Sequence, residues 1–325
     1  MRAIVQDRYG PPLEVLRLTD VDVPPVGDTD VLVRVHASSA NPWDWHFIRG
    51  EPVLMRPAGI GGIRKPRFRI PGGDVAGVVE RAGDGASGFA PGDEVYGFGH
   101  GAFAEFVAVP QGNLAAKPPS LTFEQAAAVP LGAVTALQGL RAGKLEAGQR
   151  VLVVGASGGV GTFAVQIANQ LGAHVSGVCS TANVELVRSL GVDHVIDYRV
   201  QDFTTGETTY DLVFQLGGTY SPKSIRKVLA PRGTLIQSFG DGSRWLGPLG
   251  NIVSALALNP FVGQRLTSFT ANETTETLDE ITGLIESGSL RPVIDCIVDL
   301  ADAATAIDLV ERGSPAGKVV VRVVG

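Results

Sequence analysis

The sequence predicts an α/β chain made of a compact, largely β domain and a doubly wound parallel sheet. Three observations predict it. Short β-like runs separated by Gly and Pro clusters fill the first third. Farther on, apolar strand-like runs alternate with helix-spaced segments, as repeated βα units do. Between one such strand and one such helix lies the glycine-rich turn Gly155-Ala-Ser157-Gly158-Gly159-Val160-Gly161.

The bulk numbers fit that class. Of 325 residues, 44% are hydrophobic and 18% charged, which suits folded cores and excludes extensive disorder. A net charge of −6 leaves no basic surface for nucleic acid. The local exception, Arg64-Lys65-Pro66-Arg67-Phe68-Arg69, is either a solvated loop or an attractor of anions. Cys179 and Cys296 are the two cysteines, far apart, so no disulfide scaffold or cysteine-built zinc site is expected and a reducing cytoplasm is. No run approaches the roughly 20 apolar residues of a membrane-spanning helix, and no membrane partner is expected.

In chain order, Ala3–Gln6, Val31–Val35, Val75–Glu80, Glu94–Tyr96 and Phe103–Val109 read as strands. Lys117-Pro118-Pro119 ends that region, and Thr122-Phe-Glu-Gln125 has the form of a helix capping box. Val151–Val154 is continuously apolar, as a strand covered on both faces is. Val160, Phe163, Ile167, Ala168 and Leu171 recur at helical spacing. Strand His174–Cys179, helix Val184–Leu190, strands His194–Ile196 and Asp211–Leu216, helix Lys223–Leu229 and strand Thr234–Ser238 follow. The tail reads as helix Glu276–Ile285, strand Val293–Val298, helix Ala301–Glu311 and strand Val319–Val323.

The glycine turn marks a Rossmann-type dinucleotide site. Glycines let the backbone turn sharply and approach a pyrophosphate, and the helix N-terminus supplies N–H groups and partial positive charge. At the end of the second strand, where NAD sites place an acid, the sequence has Ser180-Thr181-Ala182-Asn183. No acid stands there, and Ser180, Thr181 and Asn183 carry donors for a 2′-phosphate. The expected cofactor is therefore NADPH.

Asn41-Pro-Trp-Asp-Trp, Gly73-Asp-Val-Ala-Gly77, Pro91-Gly-Asp-Glu-Val95, Ala126-Ala-Ala-Val-Pro130, Thr135-Ala-Leu, the glycine turn, Gly191-Val-Asp-His-Val-Ile-Asp-Tyr198 and Gly317-Lys-Val-Val span the chain. On these motifs it resembles the zinc-independent medium-chain dehydrogenase/reductases, in the quinone oxidoreductase branch. The resemblance implies a GroES-like catalytic domain from residues 1–119 and 270–325, around a Rossmann NADP-binding domain at 120–269. It implies a homodimer and a substrate site between the domains. It places Ser157 to Val160 at the pyrophosphate, Ser180 and Tyr198 at the 2′-phosphate, Thr135 near the nicotinamide and Lys318 near the cofactor. Ser238 and the following Phe-Gly-Asp-Gly border the nicotinamide, and residues 244–260 form an added loop and helix. Gln215 stands where an Asp or Glu is usual.

Zinc-dependent relatives carry metal ligands where this chain has Asn41, Gly72-Gly73-Asp74 and Leu131, so no metal is expected. The candidate catalytic residues cluster in ASSANPWDWHF. Asn41 is either a substrate-side amide or the cap of a turn. His46 is either a proton donor, a ribose ligand or structural, and Asp44 either acts in catalysis or anchors backbone N–H groups. The expected activity is NADPH-dependent reduction of a quinone or an α,β-unsaturated carbonyl. The alternatives are a zinc-free alcohol or aldehyde oxidoreductase, and an NADPH-binding partner module with little turnover.

Overall fold

Apolar residues recur with period two along the strands of the first third, and that period builds its sheet. The computed structural model describes residues 1–56, 62–238, 245, 247, 249–272, 274–313 and 315–323. β1 (Arg2–Val5) and β2 (Arg17–Asp20) form a small antiparallel pair around the short helix α1 (Pro12–Val15). β3 (Asp30–Ala40) buries Val31, Val33, Val35 and Ala37 on one face. It pairs antiparallel with β4 (Asp74–Ala82) and with β6 (Phe106–Pro110); β5 (Glu94–Phe98) and β7 (Leu114–Ala116) continue the sheet beyond β4.

Between β3 and β4 the chain makes a helix, α2 (Pro42–Arg49), where Asn41-Pro42 in the sequence suggests a turn. Its ends explain it. Asn41 is extended at the N-cap, Pro42 supplies a preset φ at the first helical position, and Gly50 closes the helix at φ 61°. Trp45 packs against the core of this region, whereas Trp43 is 42% exposed. α3 (Phe123–Ala127) starts at the Thr122–Gln125 capping box and packs on β3 and β4, and α4 (Pro130–Ala142) follows.

The parallel sheet comprises β8 (Arg150–Val154), β9 (His174–Cys179), β10 (His194–Asp197), β11 (Tyr210–Gln215), β12 (Leu229–Gln237) and β13 (Arg265–Ser268). The intervening helices are α5 (Gly161–Gln170), α6 (Val184–Ser189), α7 (Pro222–Ile225) and α8 (Leu249–Leu258). The strand order is β10-β9-β8-β11-β12-β13, with every pair parallel. The order reverses between β8 and β11, which places a ligand crevice at the carboxyl ends of those strands.

After α9 (Thr275–Glu286) come β14 (Ile294–Asp299), α10 (Ala303–Glu311) and β15 (Lys318–Arg322). β15 pairs antiparallel with β3 in the register Val319↔Ala40, and β14 joins β15 in parallel. The first sheet therefore runs β14-β15-β3-β4-β5-β7, with β6 also on β3. The Tyr96 hydroxyl bonds the Leu278 carbonyl at 3.0 Å and Thr282 at 2.8 Å, fastening α9 to this sheet.

The chain divides into two compact units, Met1–Val134 with Glu273–Gly325, and Thr135–Asn272. The division falls inside α4 rather than at Pro119. Residues 120–134 stay with the first unit because α3 lies on its sheet and Leu131 is bonded to Asp74.

Candidate functional site

The dinucleotide cradle lies in the second unit, between β8 and α5. Gly155 turns at φ 91°, and a Cβ on Gly161 would lie 2.0 Å from the Gly155 carbonyl oxygen. Only glycine allows the helix to start so close to the strand. No described residue accepts a hydrogen bond from the backbone N–H of Ser157, Gly159 or Val160. Three donors with no acceptor among the described residues, at a helix N-terminus, suit a pyrophosphate.

The neighbouring loop draws several expected residues together. Asn183 Nδ2 donates to Ser157 Oγ at 3.1 Å, tying the end of the second strand to the glycine turn. Thr181, expected as a donor to a 2′-phosphate, instead spends its hydroxyl hydrogen on Asp197 at 2.6 Å. Asp197 ends β10, opposite Cys179 of β9, so an acid does stand beside the turn. The other Asp197 oxygen accepts from the Arg199 N–H at 2.9 Å. Ser180 precedes this turn, and Tyr198 is 46% exposed with the Arg199 guanidinium 5.7 Å from its ring centre. Thr135 is buried on α4, and the Ser238 N–H bonds the Gln215 carbonyl at 3.0 Å. Residues 239–244, 246 and 248, named above for the nicotinamide border and the added loop, lie outside the described residues.

Gln215 now has an account. Its amide donates to the Gly218 and Tyr220 carbonyls at 3.3 and 3.1 Å, and its oxygen accepts from Gln237 at 3.0 Å. A carboxylate there has no hydrogen to give those two carbonyls.

The first unit contains a buried polar cluster. Asp74 is fully buried, and its Oδ2 accepts from Ser39 Oγ at 2.5 Å, Asn41 Nδ2 at 2.9 Å and Lys318 Nζ at 3.1 Å. Asp74 Oδ1 accepts from the Leu131 N–H at 3.0 Å. Lys318 also donates to Asn41 Oδ1, and the other Asn41 amide hydrogen reaches the Ser39 carbonyl at 3.3 Å. Every polar atom of the Asn41 side chain is thus engaged. Lys318, expected beside the cofactor, is 3% exposed and bound into this cluster in the first unit. The β3–β15 register sets Lys318 next to Asn41, which no sequence spacing shows.

Asp44 lies one helical turn into α2. Its Oδ2 accepts from the Asn41 N–H at 2.8 Å and its Oδ1 from the Gly72 N–H at 3.2 Å. Burial pushes the Asp44 carboxyl up to about 7, and Asp74 adds to the rise; the two N–H donors and Lys318 pull downward. His46 sits near the other end of α2, with Nδ1 2.9 Å from the Glu51 carbonyl and its ring stacked 3.6 Å from Trp45. Asp44 also lines a small hollow with Trp43, Phe47, Phe68, Gly73 and His100.

A glycine-turn nucleotide sheet and a mainly antiparallel β unit on one chain is the build of dinucleotide-dependent dehydrogenases. Residues 27–119 match the alcohol dehydrogenase GroES-like domain and residues 190–321 the zinc-binding dehydrogenase family. The human mitochondrial NAD(P)H oxidoreductase RTN4IP1 is 36% identical, across 100% of this chain and 89% of that protein. The 2-methylene-furan-3-one reductase of Solanum lycopersicum is 32% identical, across 99% and 79%. The structure of the quinone oxidoreductase from Coxiella burnetii superposes with a TM-score of 0.87 at 29% identity, covering 100% of this chain and 99% of that one. The chain belongs to the medium-chain dehydrogenase/reductase family, in its quinone oxidoreductase-like branch, and is a nicotinamide-dependent oxidoreductase.

The matched family name raises zinc, and the residues present do not fit it. Asn41, Gly73 and Leu131 offer no thiolate or imidazole, both Asp74 oxygens are engaged, and an ammonium already sits among them. Among the described residues no group of three His, Cys, Asp or Glu side chains is arranged to hold a metal.

Proposed function

We propose that this oxidoreductase passes hydride from NADPH to a quinone or an α,β-unsaturated carbonyl, without zinc. The observation that carries the reading is the Asn41–Asp74–Lys318 cluster, an amide and a buried ion pair where a metal's ligands would stand. A conjugated acceptor spreads the charge that hydride addition creates, so it needs a weaker electrophile than a simple ketone does. Relatives named as a furanone reductase and as the quinone oxidoreductase of Triphysaria versicolor support that substrate class.

Bound NADPH supplies the hydride. Ser157, Gly159 and Val160 hold its pyrophosphate through N–H groups that have no acceptor among the described residues, with Gly155 making the turn. Ser180, Asn183, Tyr198 and Arg199 surround the adenosine ribose phosphate, and Thr181 and the Arg199 N–H engage both oxygens of Asp197. Thr135 and Ser238 border the nicotinamide. Asn41 and Lys318 are positioning residues, and His46 fastens the end of α2 through Glu51. Asp44 keeps a proton near neutral pH and gives it to the reduced acceptor.

The protein acts as a homodimer. β13 is an edge strand, and α8 beside it exposes Val253 and Leu256, with Phe261 86% exposed just beyond. Both cysteines are free, which suits a reducing compartment.

Oxidation of NADPH and of NADH, followed by absorbance with a quinone, an enone and a simple aldehyde, tests the activity. Turnover of quinone or enone with a higher kcat/KM for NADPH is expected. Preference for NADH overturns the cofactor assignment. Tight cofactor binding with no acceptor consumed overturns the enzyme reading in favour of a binding module.

A further inference from the structure

Between Glu51 and Asp74 the chain carries Arg56, Arg64, Lys65, Arg67 and Arg69 and no acid, in a protein whose net charge is −6. Neither the glycine turn nor the Asp74 cluster uses these cations. Like charges so close together repel one another, so folding alone gives no reason to gather them.

The backbone of this stretch is pinned to the first unit. The Tyr9 hydroxyl donates to the Gly62 and Lys65 carbonyls at 2.7 and 2.9 Å, and the Arg56 guanidinium lies 4.2 Å from the centre of the same ring. The Gln6 N–H bonds the Arg69 carbonyl at 2.8 Å. Phe68 packs edge-on against Phe47, their ring centres 5.6 Å apart. Held in this way, the loop leaves Ile63, Arg64, Lys65 and Arg67 exposed. Ile63 is 71% exposed, and Leu54, two residues before Arg56, is 57% exposed.

The acids nearby do not neutralise the loop. Asp7 is shared between Arg17 and Arg69, which leaves that trio positive. Among the described residues no carboxylate pairs with Arg64, Lys65 or Arg67.

The chemistry of this surface selects its partner. The cations are strung along an exposed loop rather than gathered round a pocket, so they suit a plane of negative charge better than one compact anion. The apolar side chains among them gain where an apolar layer lies just beneath that charge. Anionic phospholipid offers both, with headgroup phosphates over acyl chains. We propose that the surface made by Leu54, Ile63, Arg64, Lys65 and Arg67 docks on an anionic lipid bilayer. Such a contact needs no spanning helix, and no helix among the described residues is long and apolar enough to cross a membrane. One consequence rests on the proposed activity: a quinone with an apolar tail dissolves in the bilayer, and docking brings the reductase to it. The docking itself does not depend on that reading.

Sedimentation of the whole protein with vesicles tests it. Binding to phosphatidylcholine vesicles that contain phosphatidylserine, with little binding to phosphatidylcholine alone and loss at high salt, is expected. Equal binding to both, or to neither, overturns the proposal. Each cation near an anionic leaflet strengthens binding roughly fivefold, so Arg64→Gln/Lys65→Gln/Arg67→Gln should lower the partition coefficient roughly 100-fold. An unchanged coefficient overturns the surface assignment. Ile63→Gln keeps every charge and keeps the test open should the triple variant not fold. A severalfold weaker partition supports the apolar contact, and an unchanged one overturns it. Release from the vesicles by millimolar inorganic phosphate assigns the loop to a free anion instead, and tighter binding to polyglutamate than to the vesicles assigns it to an acidic protein; either overturns the lipid reading. Turnover of a water-soluble quinone by the triple variant should match the wild type. A wild type without turnover overturns the reductase reading and leaves the vesicle result standing.

Discussion

Asp44 and Lys318 show how two buried charges answer to different rules. Asp44 titrates near pH 7 in the fold, whereas a free aspartate does so near pH 4. Between those values the folded state binds more protons, so stability is fully present below about pH 4 and falls as pH rises to about 7. Asp44→Asn removes that slope. Urea unfolding at pH 5 and pH 8 should show the variant losing less stability than the wild type, and kcat should fall about 10²-fold. Lys318 is held by its partners Asn41 and Asp74. Lys318→Met leaves the Asp74 carboxylate buried and unpaired, a loss of roughly 3–5 kcal/mol in urea unfolding, with part recovered in Lys318→Met/Asp74→Asn. The residues of this cluster were only partly legible. Asn41, Asp74 and Lys318 each stood in recognisable motifs, but Lys318 lies 244 residues from Asp74, and only sheet register joins them. The hint was a lysine abutting Val319-Val-Val, a cation at the mouth of a buried strand.

At the scale of elements, period and punctuation carried most of the information. The β8–turn–α5 unit was readable because an apolar strand, four glycines and a helical stripe coincide within twenty residues. β2 and β13 were not, since Arg17-Leu-Thr-Asp and Arg265-Leu-Thr-Ser are four residues each and carry a single apolar side chain apiece. Helix α2 escaped for another reason. Its two tryptophans and single turn of polar residues look like a functional loop, and the Pro42 and Gly50 signals sit at its ends. Asp197 was missed because sequence places it eighteen residues beyond Cys179, while parallel pairing sets it alongside. The tightest element junction gives a direct prediction. In Gly161→Ala the new methyl meets the Gly155 carbonyl, so α5 must shift away from β8. The Kd for NADPH, followed by fluorescence, should rise about tenfold or more, equivalent to ~1.4 kcal/mol.

For the whole molecule, the two-part division followed from the change in character along the sequence, and the return of the tail followed from family resemblance alone. Residues 120–134 joined the first unit because the capping-box helix lies on its sheet, a preference for one neighbour over another that local sequence does not encode. Assembly is the prediction that belongs here. Phe261→Asp places a charge beside edge strand β13, and sedimentation equilibrium should then show a lighter species than the dimer proposed for the wild type. A wild-type monomer, or a variant of unchanged mass, contradicts the assignment of that edge as the contact.

The β15 strand also has a consequence for the order of synthesis. A ribosome makes the Asp74 carboxylate early and its ammonium partner among the last residues of the chain. The inserted parallel sheet has left the exit tunnel before the strand that completes the first sheet has been translated. Until then the Ala37–Ala40 end of β3 lacks its β15 partner and Asp74 has no Lys318 cation. The nascent chain is most vulnerable to misassociation in that interval, and a stalled or truncated message yields a protein with a complete parallel sheet but an unfinished first sheet.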